Sequence, residues 1–262
     1  MQVTLQSPFG EILESEFAGQ SILAIDRELI KDLLDQHLLL IFRGYALASD
    51  EHFVQFAQQL GPLLEWEFGA VLELKIQTDP ANHIFSDGRV ELHWDGAYVE
   101  DKPHYNLFQC INASANDEGG ETLFVNALEV LNRASQMQRE LWNNIVIDYV
   151  TEKKAHYGGT ISEPLCSVNP YSQKQVIRYI EAFNEDNETM NPVRVSIHDF
   201  SQARSDQFLR EFNQRLYQED IMYRHTWTTG DYLIADNCSL LNGRSRFNTP
   251  YATRHIKRIN IL

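Results

Sequence analysis

The sequence predicts an α+β fold, in which a β-barrel or double sheet is decorated by helices. Three observations support this. Helical periodicity dominates the front of the 262-residue chain, strand-like alternation dominates after Pro80, and a helical insert interrupts the strands. No repeat, low-complexity tract or glycine/serine linker divides the chain, so residues 1–262 are expected to form a single domain.

The front of the chain predicts two amphipathic helices with a buried strand between them. Residues 26–37 start at Asp26, a good N-cap, and carry an apolar stripe. Residues 38–42 are apolar throughout and fit a buried strand. A second stripe runs through residues 49–60, where Gly61-Pro62 ends the helix. The stripe of the first helix consists of Leu29, Ile30, Leu33 and Leu34.

The rest of the chain predicts strands with two further helices. Residues 145–200 are expected to be mostly strand and loop. The predicted strands are residues 90–94, 105–112, 122–125, 232–235, 240–241 and 255–262, and the predicted helices are residues 126–144 and 200–218.

Composition limits the partners of this protein. A formal net charge of −15 argues against binding nucleic acid or an anionic membrane, although simple solubility also explains it. Three widely spaced cysteines without a Cys-x-x-Cys motif fit reduced thiols in the cytoplasm. Neither a signal peptide nor a membrane-spanning apolar stretch is evident. Composition leaves the oligomeric state open.

The stretch Val90–Asp95 contains the strongest chemical signal. If it is a strand, His93 and Asp95 share one face, and Trp94 points to the other. Two histidines and one carboxylate commonly hold iron(II) in non-haem oxygenases, so a third ligand has to be sought. A lone His-x-Asp also arises by chance, with Asp95 simply opening the turn at Gly96.

Two further segments offer groups that could bind an anion. Gly119-Gly120 can form a tight turn, which places the hydroxyl of Thr122 at the start of a strand. Arg254 and Arg258 fall on one face of the last strand. Guanidinium groups can hold a dicarboxylate through their planar fork, or they can be exposed solubilising charges. Their spacing leaves both alternatives open.

In order and spacing, these motifs resemble the taurine dioxygenase-like family of iron(II)/2-oxoglutarate-dependent oxygenases over nearly the whole chain. Each motif is weak singly, but their combination is specific. Within that family, the chain looks most similar to the dioxygenases of isonitrile biosynthesis of the paerucumarin and rhabduscin type. The segments that carry the resemblance are Leu39–Gly44, Phe53–Ala57, Leu60–Leu63, His93–Tyr98, Pro103–Cys110, Gly119–Leu123, Gly230-Asp231, Ala235–Asn237, Gly243-Arg244 with Phe247, and Arg254 with Arg258.

The resemblance implies a double-stranded β-helix, a jelly-roll barrel with iron inside. It implies that His93 and Asp95 bind iron(II), and that Thr122 and Arg254 hold the distal carboxylate of 2-oxoglutarate. Arg258 is then expected near the other carboxylate or the substrate. With O2 as the second cosubstrate, the expected reaction is hydroxylation or desaturation of a small amino-acid-derived metabolite, an isonitrile in the narrower group.

Two tyrosines are candidates for substrate binding. Tyr98 and Tyr105 follow the metal motif closely and could line a pocket for an aromatic substrate. Aromatic side chains are also common in plain core positions, so the second alternative is simple packing.

The chain departs from the family pattern at the third metal ligand, where Asn242 stands in place of a histidine. An amide oxygen is a weaker ligand for iron(II) than imidazole. Either Asn242 or a water completes the site with chelating 2-oxoglutarate, or His225 or His255 substitutes, or the fold binds a small carboxylic acid without metal chemistry. Retention of the other motif residues favours a working oxygenase, although His225 and His255 both lie awkwardly for the role.

Overall fold

The computed structural model describes residues 2–115, 117–154, 157–182, 190 and 192–262. Two short 3₁₀ helices, Ile22–Ala24 and His83–Phe85, accompany the main elements. The helices are α1 Arg27–His37, α2 Asp50–Leu60, α3 Ala127–Asn132, α4 Gln136–Trp142 and α5 Gln202–Leu216. The strands are β1 Gln2–Leu5, β2 Glu11–Glu14, β3 Leu39–Arg43, β4 Leu72–Lys75, β5 Val90–His93, β6 Tyr105–Asn112, β7 Thr122–Asn126, β8 Val146–Lys154, β9 Tyr157–Pro164, β10 Cys166–Val168, β11 Gln175–Ile177, β12 Arg194–Ile197, β13 Met222–His225, β14 Tyr232–Asp236, β15 Leu240–Arg244 and β16 His255–Ile261.

Two sheets form the body of the molecule in the part of the chain that the structure describes. One has seven strands in the order β1-β2-β3-β14-β6-β16-β4, and the other has four in the order β13-β7-β15-β5. Side chains from both sheets pack in one cluster, among them Phe108, Phe124, Leu233 and Leu240. This architecture is the double-stranded β-helix that was expected, and the α+β class is confirmed.

The two front helices cover the outer face of the larger sheet. Asp26 caps α1 by accepting hydrogen bonds from the backbone N–H groups of Glu28 and Leu29, as its position predicted. Ile30 and Leu34 of the predicted stripe are buried with apolar side chains of α2 and the sheet. The side chain of Leu29 is 39% exposed, so that residue was wrongly placed on the buried stripe.

The segment between β7 and β13 forms a helical and strand-rich insert with its own core. The single helix predicted for residues 126–144 is in fact two, because Ser135 starts α4 with a capping box that it shares with Gln138. Trp142 and Phe212 of the insert pack edge to face, 5.2 Å apart between ring centroids. Trp94 also lies in this core, on the side of the chain away from His93, as alternation predicted.

Side chains alternate between the two faces of the smaller sheet, and each face has different contacts. On β7 and β15, Leu123, Val125 and Leu241 pack against the insert. The alternate residues, including Thr122 and Asn242, face the interior between the two sheets, where they line a cavity. The smaller sheet therefore presents an apolar outer face and an inner face that carries both apolar side chains, such as Phe124 and Leu240, and polar ones. No helix in the described residues is long and apolar enough to cross a membrane.

The glycine pair before β7 makes room for an aromatic ring. Gly119 and Gly120 both have positive φ, of 69° and 77°. A Cβ on Gly120 would lie 2.1 Å from the ring of Phe247. That ring lies between two arginines, with the guanidinium carbon of Arg244 at 4.9 Å and that of Arg254 at 5.1 Å from its centroid. The missing side chain of Gly120 thus lets Phe247 support both cations.

We expect Gly120→Ala to destabilise the fold by roughly 3 kcal/mol or more, because strain at positive φ adds to a clash with Phe247. Urea unfolding measures the effect. Gly19→Ala is the matched control, since Gly19 has the same φ of 77° but no atom within 4 Å of the added Cβ. That control should lose only about 1 kcal/mol. Equal losses in the two variants would contradict a steric role for Gly120.

Candidate active site

His93 and Asp95 lie together where β5 ends. His93 Nε2 is 3.5 Å from Asp95 Oδ1, so the predicted sharing of one face is observed. His93 Nδ1 lies 2.7 Å from the carbonyl oxygen of Glu91, which can only accept a hydrogen bond. In the neutral ring the proton is therefore on Nδ1, and the lone pair of Nε2 faces Asp95. A backbone carbonyl that fixes the tautomer in this way is common behind metal-binding histidines.

The carboxylate of Asp95 is ionised, and only one of its two oxygens accepts a hydrogen bond within the part of the chain that the structure describes. Burial alone would raise its pKa, but the charge of Arg258 and the contacts with His93 bring that pKa to about 2. Arg258 Nη1 donates to Oδ1 over 2.8 Å. The other oxygen, Oδ2, is buried and has no hydrogen-bond partner among the described residues. An unpartnered carboxylate oxygen beside an imidazole lone pair is a donor set that fits a divalent transition metal.

Asn242 stands next to His93 on the neighbouring strand. β15 pairs antiparallel with β5, and the register sets Asn242 opposite His93. The Nδ2 of Asn242 donates to the carbonyl oxygen of His93 over 3.3 Å, so its amide oxygen is left as the atom that could bind a metal. Among the described residues, no group of three or more His, Cys, Asp or Glu side chains clusters in a way that could hold a metal.

Neither alternative histidine comes to this position. The buried ring of His225 packs against Trp227, with 4.3 Å between ring centroids. His255 points to the outside, where its Nε2 is 3.5 Å from Glu73. His255 therefore faces away from the two arginines, as strand alternation predicted.

A narrow cavity of about 50 Å³ lies beside the pair. It brings together five of the residues that the sequence singled out: His93, Thr122, Asn242, Arg254 and Arg258. Strands of both sheets contribute to its walls. Side chains that could bind a metal and side chains that could bind an anion therefore line the same cavity.

Arg254 is a buried cation in the wall of this cavity. Its Nη1 donates to the carbonyl oxygen of Gly120 over 2.5 Å, while its Nε has no hydrogen-bond partner among the described residues. Burial lowers its pKa to about 10, so the guanidinium stays protonated at neutral pH. A buried positive charge with an unused donor fits a carboxylate ligand, because such a ligand restores the lost solvation.

A larger cavity of about 270 Å³ opens on the other side of His93 and Asp95. Its wall is mostly aromatic and aliphatic and includes Tyr98. Burial lowers the pKa of His83 to about 3, so this wall residue is uncharged. The principal apolar lining residues are Trp66, Phe68, Leu72, Ile84, Phe85, Ala97, Val99 and Ile180.

Tyr105 lies elsewhere. Its ring stacks on His104, with 3.7 Å between centroids, and it belongs to the core under the front helices. It is not among the residues that line the larger cavity. The structure therefore brings Tyr98 to the site and leaves Tyr105 in the core.

Local sequence patterns assigned no role to Asn237, although its segment carried the family resemblance. The Oδ1 of Asn237 accepts from the backbone N–H of Asp95 over 2.8 Å, and its Nδ2 donates to the Asp95 carbonyl over 3.1 Å. Nδ2 also donates to the Pro103 carbonyl over 2.8 Å. Asp95 lies just beyond β5. The side chain of Asn237 therefore makes the hydrogen bonds to the Asp95 backbone that a paired strand would otherwise make. Only tertiary structure reveals such a clamp.

Comparison with known proteins agrees with this geometry. The family described as taurine catabolism dioxygenase TauD, TfdA family matches residues 4–260. A 3-((Z)-2-isocyanoethenyl)-1H-indole synthase from Fischerella ambigua is 36% identical over 256 residues, which cover 98% of this chain and 93% of that protein. A tyrosine isonitrile desaturase from Pseudomonas aeruginosa is 32% identical over 258 residues, with 98% and 88% covered.

The solved structures include a similar fold. PvcB from Pseudomonas aeruginosa is described as an Fe, alpha-ketoglutarate dependent oxygenase from an isonitrile synthetic pathway. It superimposes with a TM-score of 0.78 at 30% identity, covering 97% of this chain and 86% of that one. The match thus spans both sheets and the insert.

We expect Asn237→Ala to weaken Mn(II) binding by roughly 10- to 100-fold, because the backbone of Asp95 loses its clamp. Equilibrium titration followed by the electron paramagnetic resonance of free Mn(II) measures it without turnover. Asn169→Ala is the matched control, as Asn169 is equally buried and donates to Ser239 instead. Both variants should lose stability, but only Asn237→Ala should lose metal affinity. Parallel losses of affinity would show a general effect of unfolding.

Proposed function

The chain belongs to the TauD/TfdA family of iron(II)- and 2-oxoglutarate-dependent oxygenases, and we propose that it hydroxylates or desaturates an isonitrile derived from an aromatic amino acid. One observation carries the proposal. His93 lines a small cavity that contains a buried cation, and His93 and Asp95 together line a larger, mostly apolar cavity. Residues 1–262 act together in this proposal as one catalytic domain.

We assign the metal to His93, Asp95 and Asn242. The Nε2 lone pair of His93 and the unpartnered Oδ2 of Asp95 support the first two ligands. Asn242 lies opposite His93 and supplies a neutral amide oxygen. This set binds more weakly than two histidines and a carboxylate, so a chelating cosubstrate contributes a larger share of metal retention.

We assign 2-oxoglutarate to the narrow cavity. Arg254 and the hydroxyl of Thr122 support binding of its distal carboxylate, and Arg258 lies between that cavity and the larger one. Together with Arg244, which also lines this cavity, the two arginines make it attractive to a dianion even though the protein as a whole is acidic.

When bound, iron supplies the activation of O2, and 2-oxoglutarate leaves as succinate and CO2. In hydroxylation, one oxygen atom enters the product; in desaturation, the substrate loses two hydrogens and that oxygen atom leaves as water. The chain holds the carboxylate of Asp95 ionised through Arg258 and His93. The apolar wall of the larger cavity excludes water from the reacting C–H bond.

The larger cavity supports an aromatic substrate. Its walls include Trp66 and Phe68, which stack 6.2 Å apart between centroids, and Tyr98. Such walls bind a flat ring through apolar burial and ring contacts. The products or substrates named for the two relatives carry an indole or tyrosine group with an isonitrile, and we extend that substrate class to this chain.

We further propose that the protein acts in the cytoplasm on a small molecule, without nucleic acid or membrane partners. The net charge of −15 and three unpaired cysteines, Cys110, Cys166 and Cys238, support this setting.

The metal assignment predicts a visible charge-transfer band when the protein is titrated anaerobically with iron(II) and 2-oxoglutarate. Asn242→His should tighten metal binding by roughly tenfold, about 1.4 kcal/mol, because imidazole replaces an amide oxygen. Asn144→His adds a histidine in the exposed turn after α4 and should change nothing. A band that appears only in Asn242→His would point to the second candidate, a metal-impaired protein that binds a small carboxylic acid; the amide at position 242 favours that alternative.

The substrate assignment predicts succinate formation that requires iron(II), 2-oxoglutarate, O2 and an isonitrile made from tyrosine or tryptophan. An isonitrile made from valine is the matched control, since it cannot fill the aromatic cavity. We expect at least severalfold more succinate with the aromatic compounds, measured by chromatography. Equal rates with all three compounds, or no rise above the substrate-free background, would refute the aromatic isonitrile as substrate.

A further inference from the structure

We propose that Trp227 is a positioning residue for the cosubstrate, because its indole N–H orients the hydroxyl of Thr122 toward the carboxylate bound at Arg254. This inference rests on the proposed function, in which Thr122 and Arg254 hold that carboxylate. Trp227 lies outside every segment that carried the family resemblance.

The contact joins two buried side chains. Trp227 Nε1 donates to Thr122 Oγ1 over 2.8 Å, and the residues are 6% and 8% exposed. The register of the smaller sheet explains why they meet. β13 pairs with β7 so that His225 lies opposite Thr122, and Trp227 follows two residues after the end of that strand. Thr122 is also the first residue of β7, directly behind the glycine turn.

The direction of this hydrogen bond fixes what the hydroxyl can still do. An indole N–H only donates, whereas a threonine hydroxyl has one hydrogen and two lone pairs. Trp227 occupies one lone pair and cannot accept the hydroxyl hydrogen. That hydrogen is therefore available to another acceptor, and the cavity that Thr122 lines with Arg254 is where a carboxylate would lie. The indole turns a freely rotating hydroxyl into an oriented donor.

The indole itself is held firmly. Its ring contacts Phe108 at 6.0 Å and His225 at 4.3 Å between centroids, and burial lowers the pKa of His225 to about 3, so that contact is uncharged. The next residue, Thr228, donates its backbone N–H to the carboxylate of Asp231 over 3.0 Å. Arg43 holds the same carboxylate with two hydrogen bonds of 2.8 and 2.7 Å. These contacts hold the indole N–H of Trp227 in place, so it has little freedom to move if the Thr122 hydroxyl changes position.

A purely structural role would be that Thr122 satisfies a buried indole N–H. That alternative makes Trp227 matter for stability alone. The positioning role makes it matter for ligands that carry a distal carboxylate and not for ligands that lack one. The two roles therefore separate in binding measurements.

The test compares the equilibrium affinity of Trp227→Phe and wild type for 2-oxoglutarate, with Mn(II) bound, by calorimetry. We expect a loss of about tenfold, equal to about 1.4 kcal/mol. Binding of 2-oxopentanoate, which lacks the distal carboxylate, should be unchanged. In turnover, KM for 2-oxoglutarate should rise by a similar factor with kcat nearly constant. Trp142→Phe, in the insert core, is the matched control and should keep wild-type affinity.

A double-mutant cycle shows whether Trp227 acts through Thr122. Thr122→Val should weaken 2-oxoglutarate binding, and adding Trp227→Phe to it should cost nothing further, since the oriented hydroxyl is already gone. Additive losses would overturn the proposal, as would an unchanged affinity in Trp227→Phe while Thr122→Val binds weakly. Failure of wild-type protein to bind 2-oxoglutarate at all would instead refute the proposed function.

A measurement on unaltered protein covers the case in which Trp227→Phe fails to fold. The chain has four tryptophans, so ¹⁵N-labelled indole signals can be resolved and assigned by nuclear magnetic resonance with a diamagnetic metal. The Trp227 indole signal should shift when 2-oxoglutarate is added and stay in place with 2-oxopentanoate. An equal response to both ligands, or to neither, would contradict the positioning role.

Discussion

The register of β15 between β5 and β7 is the constraint on which the site depends. It places Asn242 opposite His93 on one side and Arg244 opposite Thr122 on the other. A slip by one residue would turn Asn242 and Arg244 toward the apolar insert and bring Leu241 to the side of the cavity. The register is held because both faces of β15 are buried. Leu241 packs in the core of the insert, while Asn242 and Arg244 line the cavity between the sheets.

Near His93 and Asp95, the two sheets are joined by amide side chains as well as by apolar contacts. Asn237 clamps the backbone of Asp95 and accepts from Asn106, which in turn accepts from Asn260 over 2.7 Å. Asn260 also accepts from the indole N–H of Trp66, on the wall of the larger cavity, over 3.1 Å. A satisfied buried network of this kind costs little in desolvation and fixes geometry, because each amide admits few alternative arrangements.

Local sequence signals predicted much of this molecule. Capping at Asp26, alternation around His93 and the order of the family motifs were enough for the front helices, the barrel and the composition of the narrow cavity. The break at Ser135 was missed because the apolar pattern continues across it. The contacts of Asp95 with Asn237 and Arg258, and that of Thr122 with Trp227, join residues 142, 163 and 105 positions apart. Such contacts follow from sheet topology, which no local pattern encodes.

The charges of the residues around Arg258 make the proposed binding of a divalent metal and the proposed binding of 2-oxoglutarate depend on each other. With His93 neutral, the charged residues that line the two cavities leave one net positive charge, because three arginines (Arg244, Arg254 and Arg258) outnumber two carboxylates (Glu91 and Asp95). A divalent cation alone would raise it to three, and a dianion alone would invert it to minus one. Arriving together, they leave the balance where it began. In the proposed assignment, metal and 2-oxoglutarate are therefore thermodynamically linked, and each increases the affinity for the other. In a chain with an amide at position 242, this reciprocity offsets part of the affinity that an imidazole would have provided.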